Sequence, residues 1–144
     1  MNTQAGTATG ISKEGKRLPL WTVNWKSAQI VLKANGNTVT NMNQSSGTFM
    51  QDGKAASTFQ SQTGSADKST GDIDVNGQVV VVSFTHNATM HCDHVHYQTK
   101  GNQIVQATGN VRVDGEFGNV TGLQEVWATP DLKVFGTPDL FKQK

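Results

Sequence analysis

Residues 73–81 read IDVNGQVVV, with apolar side chains at every second position on both sides of a central glycine. Thirty-two residues later, residues 105–113 read VQATGNVRV and repeat the pattern, with Gly109 in the place of Gly77. Alternation with a period of two places these apolar side chains on one face of an extended strand. The central glycine indicates either two paired strands or one kinked strand with a buried face. The repeat predicts that one supersecondary unit is used more than once.

Turn signals recur along the whole chain, and helical periodicity is absent. The turn dipeptides are Asn35-Gly36, Asp52-Gly53, Asn76-Gly77, Gly101-Asn102 and Asp114-Gly115. Short runs rich in Val, Ile, Thr and Phe lie between them, which is typical of antiparallel strands joined by tight turns. The sequence therefore predicts an all-β fold with strands at 28–33, 38–42, 47–51, 57–63, 72–75, 78–84, 89–97, 103–108, 110–113, 119–127 and 133–135.

Composition excludes several classes of function. The chain has 144 residues, a formal net charge of +1 and only 16% charged residues, so it has no basic surface suited to nucleic acid. Its single cysteine cannot form an internal disulfide, and no apolar run reaches the length of a membrane span. We expect any export signal or membrane anchor to lie upstream of residue 1. No spacing of nucleophile and base indicates an enzyme, and we expect no cofactor.

Residues 89–97 read TMHCDHVHY and lie where the repeat places a strand. Their apolar side chains change parity, because Met90 and Cys92 share one face of a regular strand while Val95 and Tyr97 share the other. One extra residue between the two pairs would return all four side chains to the same face. The pattern therefore predicts a β-bulge in this strand.

The bulge, near Asp93 and His94, leaves His91, His94 and His96 on the solvent side. The alternative is a metal site, because Cys92, His94 and His96 at alternate positions of a regular strand could all point one way and bind zinc. No further pair of ligands at a suitable spacing completes a tetrahedral site. We therefore expect no metal, and keep a metal-binding β-sandwich centred on His91–His96 as the alternative.

The sequence resembles a known family at two consecutive motifs. Residues 90–97 (MHCDHVHY) and 104–111 (IVQATGNV) resemble the OstA-like repeat of lipopolysaccharide-export proteins, the LptA/LptC-like family. That repeat reads approximately apolar-x-Ala-Asp-x-Val-x-Tyr, then Ala-x-Gly-Asn-Val, and Cys92 stands at its first alanine. Residues 52–79 resemble the preceding repeat and are most similar to LptC-type members. The resemblance covers roughly residues 22–127.

The resemblance implies a fold and a function. It implies an open β-jellyroll, in which two antiparallel sheets face each other in a V. It also implies a non-enzymatic periplasmic protein that shields the acyl chains of lipopolysaccharide, or a related glycolipid, during transport to the outer membrane. The apolar residues expected to line the groove are Phe59, Ile73, Val75, Val79, Val81, Met90, Val95, Val105, Val111 and Val113. A closed core made of the same residues is the structural alternative.

The sequence and the resemblance also predict domain boundaries and partners. We expect a poorly ordered N-terminal segment over 1–20, a single domain over 21–136 and a tail over 137–144. The resemblance implies that such domains join edge to edge, and the expected edge residues are Trp25, Ile30, Val134 and Phe135. The partners would be like domains of an export bridge, with weak self-association as a further outcome. A purely structural domain that assembles through its edges is the remaining alternative.

Overall fold

The computed structural model describes residues 2–3, 5–11, 18–31, 38–67, 71–99, 103–116 and 118–136. Its regular elements there are thirteen strands, and all neighbouring strands pair antiparallel: β1 (Asn2–Thr3), β2 (Gly6–Ile11), β3 (Pro19–Trp25), β4 (Ser27–Val31), β5 (Thr38–Asn43), β6 (Ser46–Gln51), β7 (Lys54–Gln60), β8 (Thr63–Asp67), β9 (Asp72–Ser83), β10 (Ala88–Gln98), β11 (Ile104–Gly115), β12 (Gly118–Ala128) and β13 (Phe135–Gly136). Within these ranges the structure contains no helix that is long and apolar enough to span a membrane.

The repeat glycines bend two long strands. β9 and β11 each continue for 12 residues. The φ angles are 84° at Gly77 and 48° at Gln78, and 80° at Gly109 and 50° at Asn110. Glycine enters this left-handed region without steric cost, and two such residues in succession interrupt the pleat and turn the chain. The turn expected at residues 76–77 is therefore wrong, and the stretch is one kinked strand.

The bends divide the thirteen strands between two sheets. On one side, β9 pairs with β8 over residues 72–76 and with β7 over residues 80–83. The first sheet contains β1, β4, β5 and β8, and the second sheet contains β2, β3, β6 and β7. β10, β11 and β12 follow β9 and run through both sheets, and β13 ends the order. Over the described residues the arrangement keeps its edge strands and is not closed.

Aromatic packing places the two sheets face to face. Phe49 of β6 stacks on Phe59 of β7 with 4.6 Å between ring centroids. Phe49 also meets Tyr97, from the half of β10 that belongs to the first sheet, at 4.6 Å and a tilt of 46°. The buried apolar residues of both sheets form one continuous core. The predicted all-β fold of two facing antiparallel sheets, open at their edges, is confirmed.

The N-terminal segment differs from the expectation of poor order over residues 1–20. β2 pairs with β3 from Gly6 opposite Trp25 to Ile11 opposite Pro19. A Cβ at Gly6 would lie 2.7 Å from the Trp25 ring, so the indole packs against bare glycine backbone. Gly10 and Trp21 form the same cross-strand pair. These glycines therefore extend the domain toward the N-terminus, while residues 12–17 and the tail at 137–144 lie outside the described residues.

The expected edge residues occupy different environments. Trp25 is buried on β3, which pairs with β2 and with β6, so its expected edge position is wrong. Ile30 lies on β4 and packs against the core, and β1 pairs with Ala28 and Gln29, the two residues immediately before it. Val134 is exposed just before β13, and Phe135 lies in β13 opposite Ala128. Their role in partner binding stays a prediction.

Candidate functional site

The interior between the two sheets contains the residues predicted to line a groove. The first-sheet halves of the long strands supply Ile73, Val75, Val95 and Val105, and the second sheet supplies Phe59, Val79, Val81, Met90, Val111 and Val113. None of these ten side chains is more than 1% exposed. The buried polar residues of the described chain are Ser45, Ser57 and Thr99, so no charged side chain is buried there. The interior is apolar, uncharged and enclosed in this structure.

The bulge in β10 makes this continuous inner face possible. The register shifts between Cys92, which pairs with Val79, and His94, which pairs with Asn76. Cys92 and Val95 are consequently both buried, as the parity change in the sequence predicted. The predicted bulge is therefore confirmed at Asp93.

Asp93 links the bulge to the kink of the next strand. Asn110 donates a hydrogen bond from Nδ2 to Asp93 Oδ2 at 2.9 Å. A Cβ at Gly109 would lie 2.8 Å from the same carboxylate oxygen, which leaves room for glycine alone. The Asp of one motif and the Gly-Asn of the next thus meet in space. This contact gives a physical reason why the two motifs occur together.

Polar contacts hold the two sheets together at one end of the interior. Tyr97 donates its hydroxyl proton to the carbonyl oxygen of Met50 on β6. Gln103 donates from Nε2 to the same carbonyl at 3.0 Å and to the Tyr97 hydroxyl at 3.0 Å. Burial, followed by the charge of Asp52, raises the pKa of Tyr97, so its hydroxyl stays protonated and remains a donor. We call Tyr97, Gln103 and the Met50 carbonyl the latch.

A chain of hydrogen bonds, the His–Asp ladder, lies on the outer face of the first sheet. His96 is hydrogen-bonded through Nε2 to Asp72 Oδ2 at 3.1 Å and through Nδ1 to Asp74 Oδ1 at 2.9 Å. His94 Nε2 lies 3.0 Å from the same Asp74 oxygen, and its Nδ1 lies 3.2 Å from Thr108 Oγ1. Both ring nitrogens of His96 face carboxylates, so both carry a proton to donate.

The charges of the ladder support one another. The hydrogen bonds from His96 to Asp72 and then to Asp74 raise the pKa of His96 to about 10. Burial alone would raise the pKa of Asp72, but the hydrogen bonds from His96 and Thr99 outweigh burial and bring it below its usual value. The pKa of Asp74 is lowered in the same way by His96 and His94. At neutral pH the ladder therefore holds an imidazolium ion between two carboxylates.

The alternative metal ligands do not converge. Cys92 is buried on the inner face, whereas His94 and His96 are partly exposed on the outer face, because the bulge lies between them. Burial raises the pKa of the Cys92 thiol to about 12, which keeps it protonated and unsuited to metal binding. Among the residues that the structure describes, no three His, Cys, Asp or Glu side chains are arranged to hold a metal ion.

A cavity of about 400 Å³ opens at the opposite end of the interior from the latch. It lies between the β9–β10 turn and residues 129–134, which connect β12 to β13 and which we call the strap. Its apolar wall is formed by Ala88, Leu132 and Phe135, and its rim carries His86, Glu116 and Lys133. A second pocket, of about 660 Å³, lies on the first sheet and is lined mostly by Asn, Thr and Ser.

These observations define the class of protein by structure: an all-β domain of two facing sheets with an uncharged apolar interior. The chain matches no model of a known protein family and no curated protein. Sequence reasoning found the inner face but missed the ladder, the latch and the strap. Asp72 and Asp74 alternate like His94 and His96, and that shared period was the one signal of the ladder in the sequence.

Proposed function

We propose that this protein is a non-enzymatic periplasmic carrier that shields the acyl chains of lipopolysaccharide, or of a related glycolipid, during transport to the outer membrane. The observation that carries the proposal is the apolar interior between two sheets, without a buried charge among the described residues. Removing one CH₂ group from water contributes about 0.8 kcal/mol, so an acyl chain gains substantially by entering such an interior. A single charge facing inward would oppose this gain.

The two faces of the interior are in contact, and this contact affects how tightly a carrier would hold an acyl chain. In this structure the two apolar faces pack against each other, as Phe49 and Tyr97 do across the sheets. An acyl chain would replace contacts between the sheets with contacts to itself, so part of the gain offsets their separation. Binding would therefore be reversible, which suits a protein that passes its cargo on.

The family resemblance supports the same function. Its motif residues occupy the positions on which the interior depends: Asp93 lies at the bulge, Val95 and Tyr97 point inward, and Gly109 lies at the kink. The resemblance thus rests on residues that form the two-sheet interior, in addition to short sequence matches.

We further propose that like domains join through their edges to form a bridge. β1 and β2 are the first strands of the two sheets, and β13 is the last strand of the order. An edge strand has unpaired backbone groups that a partner strand can bind. β13 contains two residues, and Pro130 and Pro138 flank it in the sequence, so its pairing with a partner would be short. Weak, concentration-dependent association is the expected result.

Site-specific photocrosslinking tests the carrier function. A diazirine amino acid replaces Val81, which is fully buried, or its neighbour Val82, which is 42% exposed on the opposite face of β9. After incubation with purified lipopolysaccharide, we expect an adduct from position 81 and little or none from position 82. Native mass spectrometry of the unmodified protein should show the same complex. Equal labelling at both positions, or no complex in either experiment, would contradict the proposal.

A further inference from the structure

The strap is attached to the rest of the domain by two polar contacts and by two buried side chains. Ser83 donates from Oγ to the carbonyl oxygen of Asp131 at 2.7 Å, and His86 Nε2 lies 4.0 Å from an Asp131 carboxylate oxygen. The apolar attachments are the side chain of Leu132, which is 3% exposed and belongs to the core, and the buried Pro130. These contacts fasten the strap across the end of the interior beside the β9–β10 turn.

The remaining hydrogen bonds of the strap lie largely within it. Leu132 donates its backbone N–H to Thr129 O at 2.9 Å, and Thr129 donates its own to Val134 O at 2.9 Å. The Asp131 carboxylate accepts from Thr129 Oγ1 at 2.7 Å and from the Lys133 backbone at 3.0 Å. Such a loop can leave the surface as a unit, because its internal bonds do not depend on the body of the domain.

Leu132 has a backbone conformation that favours such movement. Its φ is +58°, in the left-handed region that residues with a branched side chain rarely adopt. Insertion of its side chain into the core keeps it there. A ligand that takes the place of this side chain would remove that constraint.

The cavity beside the strap borders the core. Ala88 and Leu132 line the cavity and are also members of the buried core, and Phe135 packs against the core from the same side. The volume of about 400 Å³ falls within the roughly 300–1,000 Å³ range of small-ligand sites. Glu116 and Lys133 give the rim charges of both signs, so a polar head group would stay outside while an apolar chain enters.

We infer that this end is the entrance of the interior: a single acyl chain enters methyl end first, past Ala88 and Phe135, as the strap moves out and withdraws Leu132 from the core. This inference rests on the proposed carrier function and adds the route and the ligand group. The latch at the other end stays closed while the chain enters.

The test measures how fast cis-parinaric acid, a fatty acid with a free methyl end whose conjugated tetraene fluoresces in apolar surroundings, enters the protein in a stopped-flow experiment. Ser83→Cys and Asp131→Cys are combined in a Cys92→Ala background, so that oxidation ties the strap to the turn. We expect the oxidised form to load at least about tenfold more slowly than the same protein after reduction. Comparing the two redox states of one chain controls for folding.

A second variant loosens the strap. Ser83→Ala removes the hydrogen bond to Asp131 together with the two that Ser83 Oγ accepts from the backbone of Thr85 and His86, which loosens the strap and the turn beside it. We expect faster loading with an unchanged amount of probe bound at equilibrium. Ser65→Ala, on the outer face of β8, is the matched control and should load like the wild type. Equal rates for the oxidised and reduced forms would overturn the entrance while leaving a carrier. A wild type that binds neither the probe nor lipopolysaccharide would overturn the carrier function itself.

Discussion

Replacing His96 by glutamine removes the positive charge that lies between two carboxylates on the outer face. The pKa of His96 rises from 6.5 to about 10, mainly because of its hydrogen bonds to Asp72 and Asp74. At about 1.4 kcal/mol per pH unit, a shift of this size corresponds to at most about 5 kcal/mol of stability. The side chain is 31% exposed, and water screens its charge. We therefore expect the substitution to cost about 1.5–3 kcal/mol, the range for hydrogen bonds to charged groups.

The pH dependence of this cost is the sharper test. The folded pKa of His96 lies above its unfolded value, so its contribution is complete below pH 6.5 and is lost as the pH rises towards 10. The pKa values of Asp72 and Asp74 are lowered, so their contribution is present above their usual value of 3.8 and is lost at more acidic pH. The stability difference between wild type and His96→Gln should therefore be largest between about pH 4 and 6.5 and shrink above that range.

Urea unfolding at about pH 5, 7 and 9 measures this difference directly. His91→Gln, on the same strand, is the control, because its side chain is 43% exposed and its ring nitrogen lies 3.7 Å from the Asp114 carboxylate, beyond hydrogen-bond distance. We expect the control to change stability by less than about 0.5 kcal/mol. A cost of His96→Gln that is independent of pH, or that grows towards pH 9, would refute the ladder as the source of this stability.

Three further predictions concern the interior and the bulge. Val111→Glu places a carboxyl group in a fully buried site and should cost several kcal/mol or abolish folding; unchanged stability together with unchanged amphiphile binding would show that Val111 does not face the interior. Gly109→Ala and Gly122→Ala both add a Cβ at positive φ (80° and 77°), but only the Cβ at position 109 meets Asp93. Gly109→Ala should therefore lower the thermal unfolding temperature more than Gly122→Ala, and an equal decrease for both would exclude a role for the carboxylate contact. Cys92, with a pKa of about 12, should react with a thiol reagent only after unfolding, and rapid labelling of the native protein would contradict its burial.

The inner face could be predicted because it depends on local alternation. A period of two identified the buried positions of β9 and β11, and the parity change identified the bulge at Asp93. The Asp52-Gly53 turn, with φ of 53° and 81°, also follows from its residue types, since both tolerate the left-handed region. Each of these features is determined within a few residues of chain.

The features that sequence reasoning missed depend on partners distant in the chain. β2 reads GTATGI, which has no apolar alternation. Its glycines can be recognised as part of a strand only once they are seen to pair with Trp21 and Trp25. The strand predicted over 57–63 is in fact the end of β7 and the start of β8, which pair with different halves of β9. Asn76-Gly77 has the composition of a hairpin turn, and tertiary pairing on both sides keeps it within one strand. The ladder likewise requires the register of β9 against β10.

The irregular residues of adjacent strands fall on one line across the sheets. Gly77 and Gln78 of β9 lie beside Asp93 of β10, and Asp93 lies beside Gly109 and Asn110 of β11. This line is a crease, on either side of which the ladders of β10 with β9 and with β11 are regular. Rotation about this crease would change the angle between the two sheets while the hydrogen bonds within each sheet stay intact. The energetic cost of widening the interior would then come from side-chain contacts between the sheets, and the stiffness of the domain could be tuned by side-chain substitutions without changing its strands.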